Sequence, residues 1–196
     1  VDRQQLSDDA IFPHVLIDQT KRSARIDFSG VKVEASQIIE NNKVEKALGD
    51  VRMIGALLTA AEQAGSTAAC LDTVVDYLNT RRQFGNLIGS YQALKHPAVD
   101  MLTMLDASRS FIYHAATIIS DAPIELDVKV ACHMAKAQST DALTFTADRA
   151  VQFHGGMGFT YECDAQLYIR RAQWSQQQYG DAEFHRSALA CIFFDE

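Results

Sequence analysis

A chain of 196 residues suffices for one domain or two small ones, and with 47% hydrophobic and 22% charged residues it can bury a sizeable core. Its formal net charge of −7, with no basic stripe, argues against nucleic-acid binding, which needs clustered Lys and Arg. No apolar run reaches about 18 residues, so no membrane span is expected, and the polar, acidic opening from Val1 to Ile11 does not read as a signal peptide.

The first fifty residues have strand character. Val15-Leu16-Ile17 is a short apolar run, and Ala24, Ile26 and Phe28 alternate with Arg25 and Asp27 at the strand period. Ser29-Gly30 signals a turn, after which Val31-Lys32-Val33 is expected to resume a short strand. Two or three strands cannot protect their own edges. Residues 1–49 therefore read as the end of a sheet whose other strands lie elsewhere, and the absence of an initiator Met points to a truncated or processed chain.

From Asp50 the pattern is helical. Val51, Ile54, Leu58, Ala61, Gly65, Ala68, Val75 and Leu78 recur at steps of about three and four, through a first helix of about thirty residues. A second helix is predicted from Tyr91 to Ile119, with Pro97 either opening or kinking it. A third runs from Ile124, with Pro123 near its first position, to about Phe153, where His154-Gly155-Gly156 stops it. A fourth covers about Ala165 to Tyr179, and Asp181 caps a last helix to about Phe193. Long helices and short loops define the fold class as mainly α, an antiparallel bundle over residues 50–196 preceded by a short β remnant.

Cys70, Cys132, Cys163 and Cys191 form no C-x-x-C pair, and the six histidines form no H-E-x-x-H pattern, so neither a zinc nor another metal site is expected. Free cysteines fit a reducing compartment, with the cytoplasm as the simplest setting. Asp106, Asp141 and Asp148 read as solvated helix charges, and Trp174 as core or interface.

Two segments stand out. Arg81-Arg82-Gln83-Phe84-Gly85 ends the first helix, where basic side chains could simply satisfy its carbonyls. Gln152-Phe153-His154-Gly155-Gly156-Met157-Gly158 follows a helix, so it is not a Rossmann fingerprint, and it lacks the Lys-Ser/Thr of a P-loop. Three glycines there permit positive φ and close approach of a backbone or cofactor, but each segment alone is also a plain helix stop.

Taken together, in this order and about seventy residues apart, the segments are more specific. Tyr77 to His96, reading Y-L-N-T-R-R-Q-F-G-N-L-I-G-S-Y-Q-A-L-K-H, resembles a signature of the acyl-CoA dehydrogenase family, and Val151 to Glu162 with Arg170-Arg171-Ala172 resembles a second. Phe28 to Val33 looks like the strand that closes the family's middle β-domain. The resemblance spans nearly the whole chain but only the last half of a usual member. It implies FAD bound between subunits, an acyl-CoA substrate, a homo- or hetero-oligomer (dimer or tetramer) and an electron-transfer acceptor protein. Arg81 matches the arginine that meets the FAD diphosphate, Phe84 the aromatic that packs on the cofactor, and Gln92 a polar contact. Gln152, Gly155 and Gly156 match the loop along the adenosine end. Arg82 falls at a variable position. The isolated piece is expected to fold without FAD, because the rest of the site lies in the absent domains.

The implied chemistry is α,β-dehydrogenation, in which a carboxylate removes the α-proton while the β-hydride passes to the flavin. The family's base is a glutamate after the Arg-Arg-Ala stretch or, in some members, on the first long helix. Here Tyr179 and Gly55 stand at those two places. A phenol, with a pKa of about 10, is a poor base near neutral pH. Asp181, Glu62 and Asp50 are the carboxylates that could substitute, against structural readings of Asp181 as a helix cap, Glu62 as a polar helix residue and Asp50 as a first-turn acid. The resemblance leaves three readings. The chain belongs to a dehydrogenase of fatty-acid or steroid side-chain metabolism with an atypical base, or it is a non-catalytic subunit that completes the FAD site of a heteromer, or it is a bundle that has lost cofactor binding.

Overall fold

A computed structural model describes residues 1–39, 41–119 and 124–194, the side chains of residues 41 and 42 excepted. Residues Asp121 to Pro123, the expected entry to the third helix, lie outside the described residues.

The chain opens with a two-stranded antiparallel ribbon, β1 (Ile11–Pro13) and β2 (Ala24–Ile26), in which Ile11 faces Ile26 and Phe12 faces Arg25. The Arg25 guanidinium lies over the Phe12 ring, 4.0 Å from its centroid. The apolar run Val15 to Ile17 falls in the connection between the strands rather than in a strand, and Val31 to Val33 pairs with no strand, so the expected strand there does not form.

Among the described residues five α-helices follow: α1 (Asn41–Thr80), α2 (Gln92–Ile118), α3 (Leu126–His154), α4 (Ala165–Gln176) and α5 (Ala182–Phe194). Between α1 and α2 lies a hairpin, β3 (Arg82–Gln83) with β4 (Asn86–Leu87). The first helix begins well before the expected Asp50. Lys43, Glu45, Lys46, Ala47 and Leu48 favour helix by intrinsic propensity but stay exposed, so no burial period marks them in the sequence. Pro97 lies within α2 rather than at its start. Its ring removes the donor for the Ala93 carbonyl, at an exposed early position where water can replace it.

The third helix is the hub, packed against α1, α2, α4 and α5. It buries residues on every side, among them Ala131, Ala135, Ala142, Leu143, Ala147 and Ala150, and its many alanines let neighbouring helices approach closely. Two apolar clusters tie α1 to its neighbours, one to α2 and one to α3. Leu71, Val74 and Leu78 pack with Met101 and Leu105, while Leu57 and Ala60 pack with Val128 and Cys132. Among the described residues no helix is long and apolar enough to cross a membrane.

Candidate functional site

Where α1 ends, Arg81 donates its backbone N–H to the Tyr77 carbonyl and accepts one from Ile88, which closes the hairpin against the helix. The two tip residues, Phe84 and Gly85, both have positive φ, at 53° and 82°. Two consecutive left-handed residues make the tight turn that suits strand twist, and for phenylalanine that conformation is strained. The Tyr91 hydroxyl donates to the Gln83 carbonyl at 3.1 Å and fixes the hairpin to the start of α2. Phe84 is thereby presented 90% exposed. The Arg81 side chain is also exposed and makes no ion pair among the described residues.

The end of α3 faces this hairpin. His154 stacks on Tyr77 with ring centroids 4.1 Å apart, and its Nδ1 lies 2.7 Å from the Ala150 carbonyl, an arrangement in which Nδ1 donates. Gly155 then leaves the helix at φ 59°. Gly158 lies against the backbone of Val151, where a Cβ would run into the carbonyl oxygen. Together the two ends enclose a groove of about 510 Å³ bordered by Tyr77, Arg81, Phe84, His154, Gly155 and Gly156. The structure thus brings Arg81 and Phe84 together with Gly155 and Gly156. Gln92 and Gln152 sit exposed on the flanking helices, outside this lining. Tyr77 and His154, given no role from sequence, also line it; both fall within the two segments singled out above, Tyr77 one turn before Arg81 and His154 next to Gly155.

A second constellation lies where α4 passes into α5. The fourth helix stops at Gln176, three residues before the expected Tyr179, because Tyr179 and Gly180 turn the chain with φ of 59° and 106°. The Tyr179 ring rests on Gly55 of α1, so that a Cβ at position 55 would fall within 2.8 Å of three ring atoms. The two positions that the sequence resemblance matches to a base, 179 and 55, are therefore in contact with each other. Among the candidate carboxylates, Asp181 accepts the Phe184 N–H at 2.8 Å as the cap of α5. Glu62 is engaged by Lys21 at 2.6 Å and by Arg171 at 2.5 Å. Asp50 lies inside α1, not in its first turn as the sequence suggested.

Beneath this turn is a buried polar network. Lys136, fully buried on α3, donates to Thr140 Oγ1 at 3.0 Å and to the carbonyls of Gly180 at 2.8 Å and Gln176 at 3.4 Å. Burial pushes its pKa down to about 8, opposed by the charge of Asp181. The Thr140 hydroxyl donates to Gln63 Oε1, and Gln63 Nε2 donates to Ser175 Oγ. Alongside, the Nδ1 atoms of His133 and His185 lie 2.7 Å apart, so one must donate and the other accept. Burial, then the neighbouring charges of His133 and Lys136, push His185 down to about 4; burial also lowers His133. No group of three or more His, Cys, Asp or Glu among the described residues could hold a metal ion.

The profile of the acyl-CoA dehydrogenase C-terminal domain matches residues 47–192, and the chain belongs to the acyl-CoA dehydrogenase family. It is 39% identical over 125 residues to acyl-CoA dehydrogenase IpdE2 of Mycolicibacterium smegmatis, covering 64% of this chain and 38% of that protein. To acyl-CoA dehydrogenase IpdE2 of Mycobacterium tuberculosis it is 33% identical, covering 84% and 46%. Its fold is similar to that of butyryl-CoA dehydrogenase from Megasphaera elsdenii, with a TM-score of 0.83 at 23% identity over 95% of this chain and 50% of that one. The chain thus spans less than half the length of these curated relatives.

Proposed function

We propose that this chain supplies the C-terminal side of an FAD site in an acyl-CoA dehydrogenase acting on the CH–CH bond of an acyl-CoA thioester. In this reading residues 1–49 are part of a middle β-domain and residues 50–196 the C-terminal bundle. The observation that carries it is the groove uniting Arg81 and Phe84 with Gly155 and Gly156. An exposed guanidinium with no ion pair among the described residues suits a diphosphate, which it can meet through a planar fork of donors. Phe84, projected on a strained turn, offers an aromatic face. Gly156 has nothing within 4 Å of where its Cβ would be, so a ligand can reach the main chain there. Gln92 and Gln152 would contact the cofactor's flanks from their exposed positions. Bound here, FAD would supply the hydride acceptor for dehydrogenation.

The Tyr179–Gly55 contact favours one form of this function. With a phenol seated where the family's base stands, Asp181 capping a helix and Glu62 held by two cations, the chain completes the flavin site of a heteromer and leaves the α-proton to a paired subunit. The test is the full-length protein, purified alone and with its co-expressed partner, assayed for bound flavin and for acyl-CoA-dependent reduction of an electron acceptor. Flavin binding with turnover only in the pair is the expected result. Robust turnover by the full-length protein alone would overturn the subunit reading.

A further inference from the structure

A lysine buried without an ion pair among the described residues, with only the charge of Asp181 near it, calls for a reason. Lys136 makes none of the ion pairs found among the described residues, and its ammonium instead spends its donors on one hydroxyl and two main-chain carbonyls. Desolvating such a charge is unfavourable unless every donor is used, so the arrangement is stable only with the carbonyls in place.

Those carbonyls bracket one segment. Gln176 is the last residue of α4, where unsatisfied carbonyls and the helix dipole favour a cation. Gly180 is the second of two consecutive left-handed residues. Between them stands Tyr179, a non-glycine residue in a conformation that persists only where its surroundings enforce it. The surroundings are specific. A Cβ on Gly180 would meet the Phe184 ring of α5, the Tyr179 ring lies on Gly55 of α1, and the Lys136 ammonium joins the two carbonyls from α3. The hydrogen-bonded chain from Lys136 through Thr140 to Gln63 extends the link to α1, two turns beyond Gly55.

We propose that Lys136 is a positioning residue that clamps the 176–180 turn and thereby keeps the Tyr179 ring seated on Gly55, closing the place from which a side-chain base would act. The functional meaning of that closure rests on the dehydrogenase reading above; the clamp itself does not. Its chemistry explains why a cation is used. A neutral donor of similar length offers fewer N–H groups than the three acceptors require. Met, of similar bulk, offers none and would remove the ammonium from both carbonyls beside a strained turn.

The experiment is 19F NMR at neutral pH on the chain labelled with 3-fluorotyrosine at its six tyrosines. Loss of a resonance in Tyr179→Phe assigns position 179, and Gly55→Ala, whose Cβ would overlap the ring, supplies the shift of the unseated state. Lys136→Met is expected to move the Tyr179 resonance more than halfway to that unseated value and to leave the other five in place. Leu143→Ala, an equally buried change on α3, is expected to leave Tyr179 unmoved. A Tyr179 resonance unchanged in a folded Lys136→Met variant would overturn the proposal, as would an equal displacement by Leu143→Ala. If Lys136→Met does not fold by circular dichroism, Lys136→Gln is read by the same criterion. Flavin content plays no part in this readout, so the clamp and the dehydrogenase reading can fail separately.

Discussion

Gly158 and the His133–His185 pair each carry a prediction at the scale of single residues. Because a Cβ at 158 meets main-chain atoms of Val151 rather than a flexible side chain, Gly158→Ala should destabilise the bundle by about 1–3 kcal/mol, read as a lower denaturation midpoint in urea. Gly156→Ala, with open space around it, should change stability little. The buried imidazoles set a pH dependence. His185 is held neutral in the folded chain down to about pH 4, whereas an unfolded histidine takes a proton near 6.5. Between those values the unfolded state binds more protons, so stability is full above about 6.5 and falls as pH drops toward 4, with a slope approaching ~1.4 kcal/mol per pH unit. His133 adds in the same direction. Denaturation of His185→Gln should show a flatter profile over that interval; an unchanged slope would contradict the assignment.

At the scale of elements, the N-terminal ribbon is docked by charge rather than by core packing. Arg171 of α4 pairs with buried Asp18 and with Glu62 of α1, and donates to Thr20; Lys21 pairs with Glu62 and lies over the Trp174 ring, 4.8 Å from its centroid. Arg171→Ala strands Asp18 without its cation, at about 3–5 kcal/mol for a fully buried pair and less for this partly exposed one. The expected outcome is rapid tryptic cleavage at Lys21 or Arg22 with α1 to α5 left intact; equal resistance to cleavage would count against the docking role. These elements also show what sequence can and cannot reveal. The second and fifth helices appear close to where periodicity and the Asp181 cap place them, because burial and capping leave residue-level traces. The start of α1 leaves none, since an exposed helix segment has no apolar period. The Arg81 and Gly155 motifs announce their groove because helix ends need special residues. Lys136 is silent: a lysine in a helix reads as solvent-facing, and only the enclosure of α3 on all sides makes it internal.

The whole molecule joins a helical hub, a groove at one helix end and a closed turn at the other site, and these features make separate claims. The groove gathers a guanidinium, an aromatic ring and bare glycine backbone in one lining, and the proposed FAD site rests on it. The turn bears on the proposed subunit role, since its tyrosine fills the space above Gly55. The central claim is that the groove holds FAD, and the most direct test is the flavin content of the full-length protein and its complex with and without Arg81→Ala. Losing the charge-assisted contacts of one guanidinium should weaken retention about tenfold or more, with the helical circular dichroism unchanged. Stoichiometric flavin retained undiminished in folded Arg81→Ala would contradict the account.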